Sequence, residues 1–306
     1  MHFGRQAAIR SNLERRTRVI NATRAFFSTS GFLEIETPVR IPAPAPEIHI
    51  DAQESGDWFL QTSPELCMKR LLAAGYEKIF QICRCFRKGE RGGRHVPEMT
   101  LLEWYAAGLD YLDLMIQCEE LIGFVAARMD MGRQLVYQGH TVDLTPPWDR
   151  LTVAEAFERF GGMTAEQALE QECFDEIMGL DIEPQLGIER PLFLYDYPAR
   201  CGALARLKLA DSSVAERFEL YIAGMELCNA FSELTDPREQ RARFDADNRA
   251  RGVNGKTVYP IAEPFLQALA SMPPAAGNAL GLDRLVMLFT DAASIDEVVA
   301  FTPEDL

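Results

Sequence analysis

Residues 86–105 read FRKGERGGRHVPEMTLLEWY, a cationic and glycine-rich stretch between two apolar segments. The residues before it, 79–86, and those from 99 to 109 have the apolar character of buried strands, so the pattern predicts a long hairpin. The mouth of this hairpin would carry four side chains: Arg87, Arg91, Arg94 and His95. A planar guanidinium pairs two-pronged with phosphate or carboxylate oxygens. The loop is therefore a candidate nucleotide clamp, and an exposed basic loop without a ligand is the alternative.

The composition is that of an ordinary globular protein, with 306 residues of which 47% are hydrophobic and 25% charged. The net charge of −15 argues against broad binding to nucleic acid, although a local cationic cleft can still bind a nucleotide. The seven cysteines show no metal-ligand spacing, so we expect reduced thiols. No apolar run approaches the roughly 20 residues of a membrane span. The N-terminus lacks a secretory signal, and we expect a cytoplasmic protein with no membrane partner.

Local patterns predict several further elements. Ser11 or Asn12 can cap a helix that runs to about residue 30, and residues 32–38 alternate as a strand does before a proline. Residues 151–190 contain capping-box signals and predict a small helical insertion. Residues 249–256 are polar and predict a loop.

A second helix is predicted after Ser63, with Pro64 in its first turn and Gly75 after its end. Glu65 then lies where the helix dipole favours an anion. It is either part of the electrostatics of a helix start or a carboxylate for an ammonium group of a ligand.

Carboxylates recur at every seventh position in residues 217–234, at Glu219, Glu226 and Glu233. Gly224 and the aromatic content favour two short strands joined by a turn over a helix with a solvated acidic stripe. Two carboxylates in such a hairpin can hold Mg²⁺ together with nucleotide phosphates.

Residues 277–288 place small side chains on a predicted strand, followed by Asp283 and Arg284 at the start of an apolar helix. Small residues allow a flat ligand to approach the backbone. Arg284 can stack on an aromatic base or pair with phosphate, and a purely structural helix start is the alternative.

Taken in order, these segments resemble the class II aminoacyl-tRNA synthetases. The helix that leads to Pro38 resembles motif 1, residues 86–105 motif 2 and residues 277–288 motif 3. Residues 62–65 and 226–234 resemble the lysine pocket of the lysyl-tRNA synthetases. The resemblance implies an α+β fold, with an antiparallel β-sheet flanked by helices, and a homodimer formed through motif 1.

Only about ten residues precede the first helix, whereas a lysyl-tRNA synthetase carries an anticodon-binding OB domain there. The chain is therefore expected to be one catalytic domain over residues 1–306, without that domain, and resembles the elongation factor P (R)-β-lysine ligase family. Ser63 and Ala279 resemble the ligases at positions where lysyl-tRNA synthetases typically carry Ala and Gly.

The resemblance implies an ATP-dependent, AMP-forming ligase that uses Mg²⁺. It would activate (R)-β-lysine as an adenylate and transfer it to the ε-amino group of a lysine on elongation factor P, without tRNA. Two alternatives stay open. One is a truncated lysyl-tRNA synthetase-like enzyme that charges tRNA or another carrier with lysine, and the other is a non-catalytic paralogue that senses an amino acid.

Residue roles follow from the same resemblance. Arg87 and Arg284 would be catalytic. The amino acid would contact Ser63, Glu65, Glu103, Tyr105, Asn229, Glu233 and Ala279. ATP would contact Arg87, Glu90, Arg94, His95, Met99, Glu226, Leu227, Gly281 and Arg284. Mg²⁺ would be held by Glu219 and Glu226.

The chain departs from the family pattern in the motif 2 loop. Gly89 stands at a position where lysyl-tRNA synthetases carry Glu, Val96 replaces an Asn, and Met99 replaces an aromatic residue. Val96 supplies no amide, and Met99 offers a thioether to adenine in place of a ring. We therefore expect ATP contacts that differ in detail from those of the relatives. Ala230 and Ser232 replace the Gly and His that are usual in the ligases.

Overall fold

A sheet of nine strands forms the centre of the computed structural model, which describes residues 4–306. In chain order the strands are β1 Leu33–Glu34, β2 Arg40–Ile41, β3 Glu54–Ser55, β4 Trp58–Leu60, β5 Lys78–Phe86, β6 Glu98–Ala107, β7 Gln134–Tyr137, β8 His140–Asp143, β9 Asp149–Thr152, β10 Leu192–Pro198, β11 Leu207–Lys208, β12 Asp211–Ile222, β13 Met225–Ser232 and β14 Ala275–Gly281. The α-helices are α1 Gly4–Ala8, α2 Arg10–Thr29, α3 Glu65–Ala73, α4 Tyr111–Arg128, α5 Val153–Ala156, α6 Ala165–Glu170, α7 Phe174–Ile177, α8 Pro237–Val253, α9 Glu263–Leu269 and α10 Leu282–Thr290.

The large sheet has the strand order β1-β5-β6-β14-β13-β12-β10-β9, and β11 pairs with β12. Its pairs are antiparallel except at the two edges, where β1 runs parallel to β5 and β9 parallel to β10. Two small sheets join β2, β4 and β3, and β7 and β8. The predicted α+β fold with a mainly antiparallel sheet is confirmed.

Both predicted hairpins are present. Strands β5 and β6 pair from Lys78 opposite Ala106 to Phe86 opposite Glu98, and the cationic loop joins them. Strands β12 and β13 are joined by Ala223 and Gly224, which both have positive φ. Two successive residues of this kind make the tight turn whose twist matches a hairpin.

One face of the sheet packs on α2, α4 and α10 to form the main core. Leu102 and Trp104 on β6 point to this face and are fully buried. The ring of Phe27 from α2 stacks on Phe80 with centroids 4.8 Å apart and lies 5.2 Å from the ring of Trp104. Burial of each such large apolar side chain contributes about 1.5–3 kcal/mol. Helices α3 and α9 pack on part of the opposite face of the central strands, and the rest of that face is open for a site.

Two predictions near the N-terminus need correction. Helix α2 begins at Arg10, and neither Ser11 nor Asn12 caps it; the Asn12 amide donates to the carbonyl oxygen of Glu297 instead. Only Leu33–Glu34 of the predicted strand 32–38 pairs with the sheet. The alternating pattern favoured a longer strand, but the chain leaves the sheet edge after Ile35 to reach the first small sheet.

The prediction of a polar loop at residues 249–256 is wrong. Helix α8 continues to Val253, and Arg251 in its last turn is fully buried. The Arg251 guanidinium donates to the carbonyl oxygens of Thr257 at 2.7 Å, Glu47 at 2.6 Å and Ile50 at 2.9 Å, and to the Asp51 carboxylate at 2.6 Å. The polar composition predicted a solvent-exposed segment, whereas the Arg251 side chain is buried and donates hydrogen bonds to carbonyl oxygens of a loop distant in sequence. We call this loop, residues 47–51, the wall loop.

The segment between β9 and β10 folds as short helices with a small core of their own. Thr152 and Thr164 each form a capping box, as their sequence patterns predicted. The rings of Phe157 and Phe174 stack with centroids 4.8 Å apart, and Tyr221 of β12 joins this core. The helices therefore cover the outer part of the sheet beyond β12.

Within the described range, no helix is both long and apolar enough to cross a bilayer. All seven cysteines are free thiols.

Replacing Arg251 by Met should lower the free energy of unfolding by about 3 kcal/mol, because three carbonyl oxygens and Asp51 lose their donor. Thermal or denaturant unfolding measures this loss. Arg249→Met is the matched control: Arg249 is exposed on the same helix, and its loss should stay within about 0.5 kcal/mol. Equal stability of the two variants would contradict a clamp on the wall loop.

Candidate active site

A cavity of about 230 Å³ lies on the face of the sheet opposite the main core. Its floor is set by register, because residues paired across strands point to the same face. One row across five strands consists of Gln81, Glu103, Ala279, Asn229 and Glu219. The next row consists of Ile79, Tyr105, Gly277, Phe231 and Arg217. Side chains from strands far apart in sequence are thus brought to one surface.

Most of the predicted site residues line this cavity. They are Ser63, Glu65, Arg87, Glu90, Arg94, His95, Met99, Glu103, Tyr105, Glu226, Leu227, Asn229, Ala279, Gly281 and Arg284. Glu233 lies just beneath the floor and is buried, and Glu219 lies outside the lining. Their roles toward a ligand stay predictions.

One end of the cavity is cationic. Arg284 follows β14 in the first turn of α10 and donates to the carbonyl oxygen of Glu226 at 2.8 Å and to its carboxylate at 3.0 Å. The same guanidinium lies 2.5 Å from Nε2 of His95. Burial and the neighbouring Arg284 lower the pKa of His95, which therefore accepts this bond as a neutral ring. Arg94 donates to the carbonyl oxygen of Gly224 at 2.7 Å and ties the hairpin loop to the β12–β13 turn.

Arg87 and Glu90 face each other weakly in the same loop, with 3.9 Å between Nη1 and Oε1. Nε of Arg87 and Oε2 of Glu90 are buried, and neither has a hydrogen-bond partner within residues 4–306. Such groups fit a polar ligand that completes their bonds. Arg91, expected beside them at the hairpin mouth, pairs instead with Asp296 and Glu304 and does not line the cavity. Its guanidinium is engaged by the C-terminal segment on the outside of the loop.

Asp283, the neighbour of Arg284 in the sequence, is a buried carboxylate that links three elements of the fold. Its carboxylate accepts the N–H of Thr100 on β6 at 2.7 Å and pairs with Arg16 of α2 at 2.5 Å. One buried carboxylate thereby joins α2, β6 and α10. Asp283 thus has a structural role, whereas its neighbour Arg284 lies at the cationic end of the cavity.

The other end of the cavity is acidic. Ser63 donates to Oε1 of Glu103 at 2.6 Å, and the hydroxyl of Tyr105 donates to Oε2 at 3.0 Å. Glu65 starts helix α3, and its N–H donates to the hydroxyl of Ser63 at 3.0 Å. The predicted helix thus begins at Glu65, with Ser63 as the side chain that satisfies its first N–H.

Burial governs the ionisation of this acidic end. It raises the pKa of Glu103 to about 8, with Glu65 adding to the shift and the hydrogen bonds from Ser63 and Tyr105 opposing it. Burial likewise raises the pKa of Glu233 above its ordinary value, against the opposing charge of Lys69. The free protein therefore holds protons here at neutral pH that a cationic ligand would displace.

Gly277 makes the close packing of this end possible. A Cβ at this position would collide with the ring of Tyr105 and with the Glu233 carboxylate. The absence of a side chain lets both groups lie against the strand. The small residues of this strand thus make room for side chains of neighbouring strands as well as for any ligand.

Glu219 is already bonded inside the protein. Its carboxylate pairs with Arg217 at 2.6 Å and accepts hydrogen bonds from Tyr197 at 2.6 Å and Tyr221 at 2.7 Å. It shares a sheet face with Asn229 but stands one strand farther out. The predicted Mg²⁺ pair is thus represented in the cavity wall by Glu226 alone. No cluster of three or more metal-ligating side chains occurs in the described part of the chain.

Sequence reasoning missed two ionisable residues at the site. Lys69 is fully buried and contacts both Glu65 and Glu233. Its spacing of four residues from Glu65 was a usable signal, since such pairs meet on one helix face. Glu47 lines the cavity from the wall loop, and no local pattern marks it because Arg251 positions that loop from a distance.

The chain was compared with known proteins. The family model described as "tRNA synthetases class II (D, K and N)" matches residues 1–305. The chain belongs to the class II aminoacyl-tRNA synthetases. The predicted family is thus confirmed, and with it the assignment of the central sheet and its hairpin to this fold.

Three relatives show its place within this family. The lysine–tRNA ligase of Moorella thermoacetica is 41% identical over 94% of this chain, which spans 64% of the length of that relative. The elongation factor P–(R)-β-lysine ligase of Erwinia tasmaniensis is 40% identical over 95% of each chain. The protein of the same name from Salmonella gallinarum is 39% identical over 95% of this chain and 94% of its own.

The two ends of the cavity carry opposite charges and suit different chemical groups. Guanidinium groups at one end suit phosphate oxygens, and carboxylates at the other suit ammonium groups. Asn229 and Ala279 lie between them on one row of the sheet. An amino acid and a nucleotide bound at the two ends would meet near this row.

Gly277→Ala should weaken the binding of L-lysine, used as a probe with two ammonium groups, by about tenfold or more. Overpacking of this kind costs about 1–3 kcal/mol, and each 1.4 kcal/mol is tenfold in affinity. Calorimetric titration measures the change. Gly123→Ala on the exposed side of α4, where a Cβ meets nothing within 4 Å, is the control and should bind as the parent does. Undiminished affinity in Gly277→Ala would refute the close packing as a requirement of the pocket.

Proposed function

We propose that this protein activates (R)-β-lysine with ATP and transfers the β-lysyl group to the ε-amino group of a lysine on elongation factor P. The observation that carries the proposal is the cavity, which has a cationic end and an acidic end with Glu65 and Glu103 in its lining and Glu233 buried beside them. The names and full-length coverage of the Erwinia and Salmonella relatives support the acceptor. A cytoplasmic location belongs to the same proposal.

A lysine–tRNA ligase activity is the second candidate, because the Moorella relative is equally similar in sequence. The amino-acid end of the cavity does not separate the two, since both reactions begin with a lysine isomer. Ser63 and Ala279 favour the protein ligase, because both line the cavity at positions where lysyl-tRNA synthetases carry Ala and Gly. We therefore propose a protein acceptor and no tRNA. A homodimer through the motif 1 helix, α2, is part of the same proposal.

In the first half-reaction the amino-acid carboxylate attacks the α-phosphorus of ATP and pyrophosphate leaves. Arg87, with a buried Nε that has no partner among the described residues, would bind the carboxylate and the α-phosphate. Arg94 and His95 would bind the outer phosphates, and Arg284 would neutralise phosphate charge and stack on adenine. These residues hold the reacting groups together and spread the developing negative charge, which supplies most of the rate in such reactions.

Mg²⁺ fits this scheme through Glu226. Carboxylates and phosphate oxygens are its preferred ligands, and the Glu226 carboxylate lies in the cavity wall. Bound there, the ion would neutralise phosphate charge. Glu219 stays the second predicted ligand. Val96 and Met99 would give the adenine an aliphatic and a thioether surface.

In the second half-reaction a lysine amine attacks the carbonyl carbon of the adenylate, the bond to the phosphate oxygen breaks, and AMP leaves. The amine must give up a proton to become nucleophilic. Glu47 is suited to accept it, because it lines the cavity and no side chain of the described residues bonds to its carboxyl. Burial raises the pKa of Glu47 to about 7, opposed by the charge of Arg87 and increased by that of Glu65.

Intact-mass analysis of elongation factor P tests the proposal directly. Incubation with this protein, ATP, Mg²⁺ and (R)-β-lysine should add one lysyl unit to the factor, and L-lysine should do so less efficiently. Transfer of labelled amino acid to tRNA under the same conditions should be absent. A mass shift with L-lysine alone would change the preferred isomer, and charging of tRNA in place of the factor would select the second candidate.

Glu47→Gln should slow single-turnover transfer from preformed adenylate by about 100-fold, since general bases of this kind contribute at least that much. In the parent the transfer rate should rise with pH through about 7, because only the ionised carboxylate accepts a proton, and this inflection should vanish in the variant. ATP–pyrophosphate exchange should change little. Asp247→Asn is the control, because this nearby carboxyl does not line the cavity. A variant that transfers at the parental rate and pH profile would exclude Glu47 as the base.

A further inference from the structure

Lys69 is the most deeply buried cation beside the cavity. Its side chain is fully buried, and Nζ lies 2.5 Å from Oε1 of Glu65 and 2.5 Å from Oε2 of Glu233. The two carboxylates come from different elements, the start of α3 and the residue after β13. Lys69 thus links the start of α3 to the end of β13 beside the acidic end of the cavity.

The surroundings of Lys69 are apolar, so burial of its charge costs desolvation free energy that only the two carboxylates can offset. Leu66, Met68, Leu72 and Ile79 form an apolar cluster around this part of α3. Burial alone would lower the pKa of Lys69, but Glu233 and Glu65 raise it above its ordinary value, so the ammonium stays charged. A buried pair contributes little net stability compared with apolar residues of the same size. We therefore relate the buried Lys69 to the net charge of the pocket and not to the stability of the fold.

The charges of the acidic end can be counted. Glu65, Glu103 and Glu233 supply three negative charges when ionised, and Lys69 supplies one positive charge. The sum is two negative charges. Each lysine isomer carries two ammonium groups, one at the side-chain end and one at the α or β carbon, so the ligand and Lys69 together match the three carboxylates.

We propose that Lys69 is a positioning residue that sets the net charge of the pocket to match an amino acid with two ammonium groups. It does so by holding Glu65 and Glu233 in place, and its charge favours the ionised form of Glu233. The proposal rests on the proposed function, since it assumes a lysine isomer as substrate. Lys69 itself contacts the carboxylates and not the cavity.

A pH dependence follows from the groups around these carboxylates. Those groups are Glu65 and Lys69 on α3, Ser63 before it, Glu103 and Tyr105 on β6, and Arg87 after β5. Because burial raises the pKa of Glu103 to about 8, its carboxyl is largely protonated at neutral pH in the free protein, whereas the charge of Lys69 favours the ionised form of Glu233. A diammonium ligand binds the ionised forms, so binding releases protons and the KM for lysine falls as pH rises through about 8.

Removal of the Lys69 charge should move this fall to higher pH, because the carboxylates then lose a stabilising cation. In Lys69→Gln we expect the KM for the lysine isomer to rise about tenfold at pH 7, corresponding to one unit in pKa, and to approach the parental value near pH 9. The kcat should change much less. ATP–pyrophosphate exchange across this pH range measures both parameters without elongation factor P.

Two further variants complete the design. Lys69→Arg keeps the charge and should keep the parental pH midpoint, even if its bulk raises KM. Lys78→Met removes an exposed lysine next to the same region of the sheet and should behave as the parent. Calorimetry of lysine binding to the parent protein, in buffers of different ionisation enthalpy, should show net proton release at pH 7.5.

The outcomes separate the inference from the proposed function. If the parent exchanges pyrophosphate with no lysine isomer, the proposed function fails. If the parent exchanges and Lys69→Gln raises KM by one factor at every pH, Lys69 is merely structural and the inference fails. Should Lys69→Gln not fold, the calorimetry decides: proton release by the parent supports the charge count, and its absence overturns it.

Discussion

The register of the central strands β5, β6, β14 and β13 is the constraint on which both the core and the site depend. In β6, Leu102 and Trp104 point to the helices while Leu101, Glu103 and Tyr105 point to the cavity. A shift of one residue would exchange the two sets and bury carboxylates in the apolar core. The same register continues through β14 and β13, which aligns Glu103 with Ala279 and Asn229. Folding of the core and assembly of the pocket are therefore one event.

Local patterns were sufficient where the partners lie close in sequence. Apolar alternation and glycine define the cationic hairpin, the turn at Gly224 and the helix whose first turn contains Asp283 and Arg284. They were insufficient where the partner lies far away. Arg251 binds Asp51 across 200 positions, so the polar composition of its neighbourhood pointed wrongly to a loop.

The candidate site shows the same division. Resemblance to the synthetase motifs led to fifteen residues that line one cavity. It did not lead to Lys69 or Glu47, because their importance comes from contacts and desolvation and not from a motif. It also could not tell that Glu219 would be held by Arg217, Tyr197 and Tyr221. The prediction of ligand chemistry needs the hydrogen-bond partners of each carboxylate, which only the folded chain supplies.

The three carboxylates of the acidic end are stabilised by a helix start, by hydroxyl groups and by a buried lysine. Glu65 lies at the start of α3, where the helix dipole favours a negative charge. Glu103 accepts hydrogen bonds from Ser63 and Tyr105, and Lys69 pairs with both Glu233 and Glu65. A pocket built in this way gains negative charge when ammonium groups bind and Glu103 loses its proton, and it carries less charge when no ligand is bound. This reconciles deep burial with recognition of a ligand that has two ammonium groups.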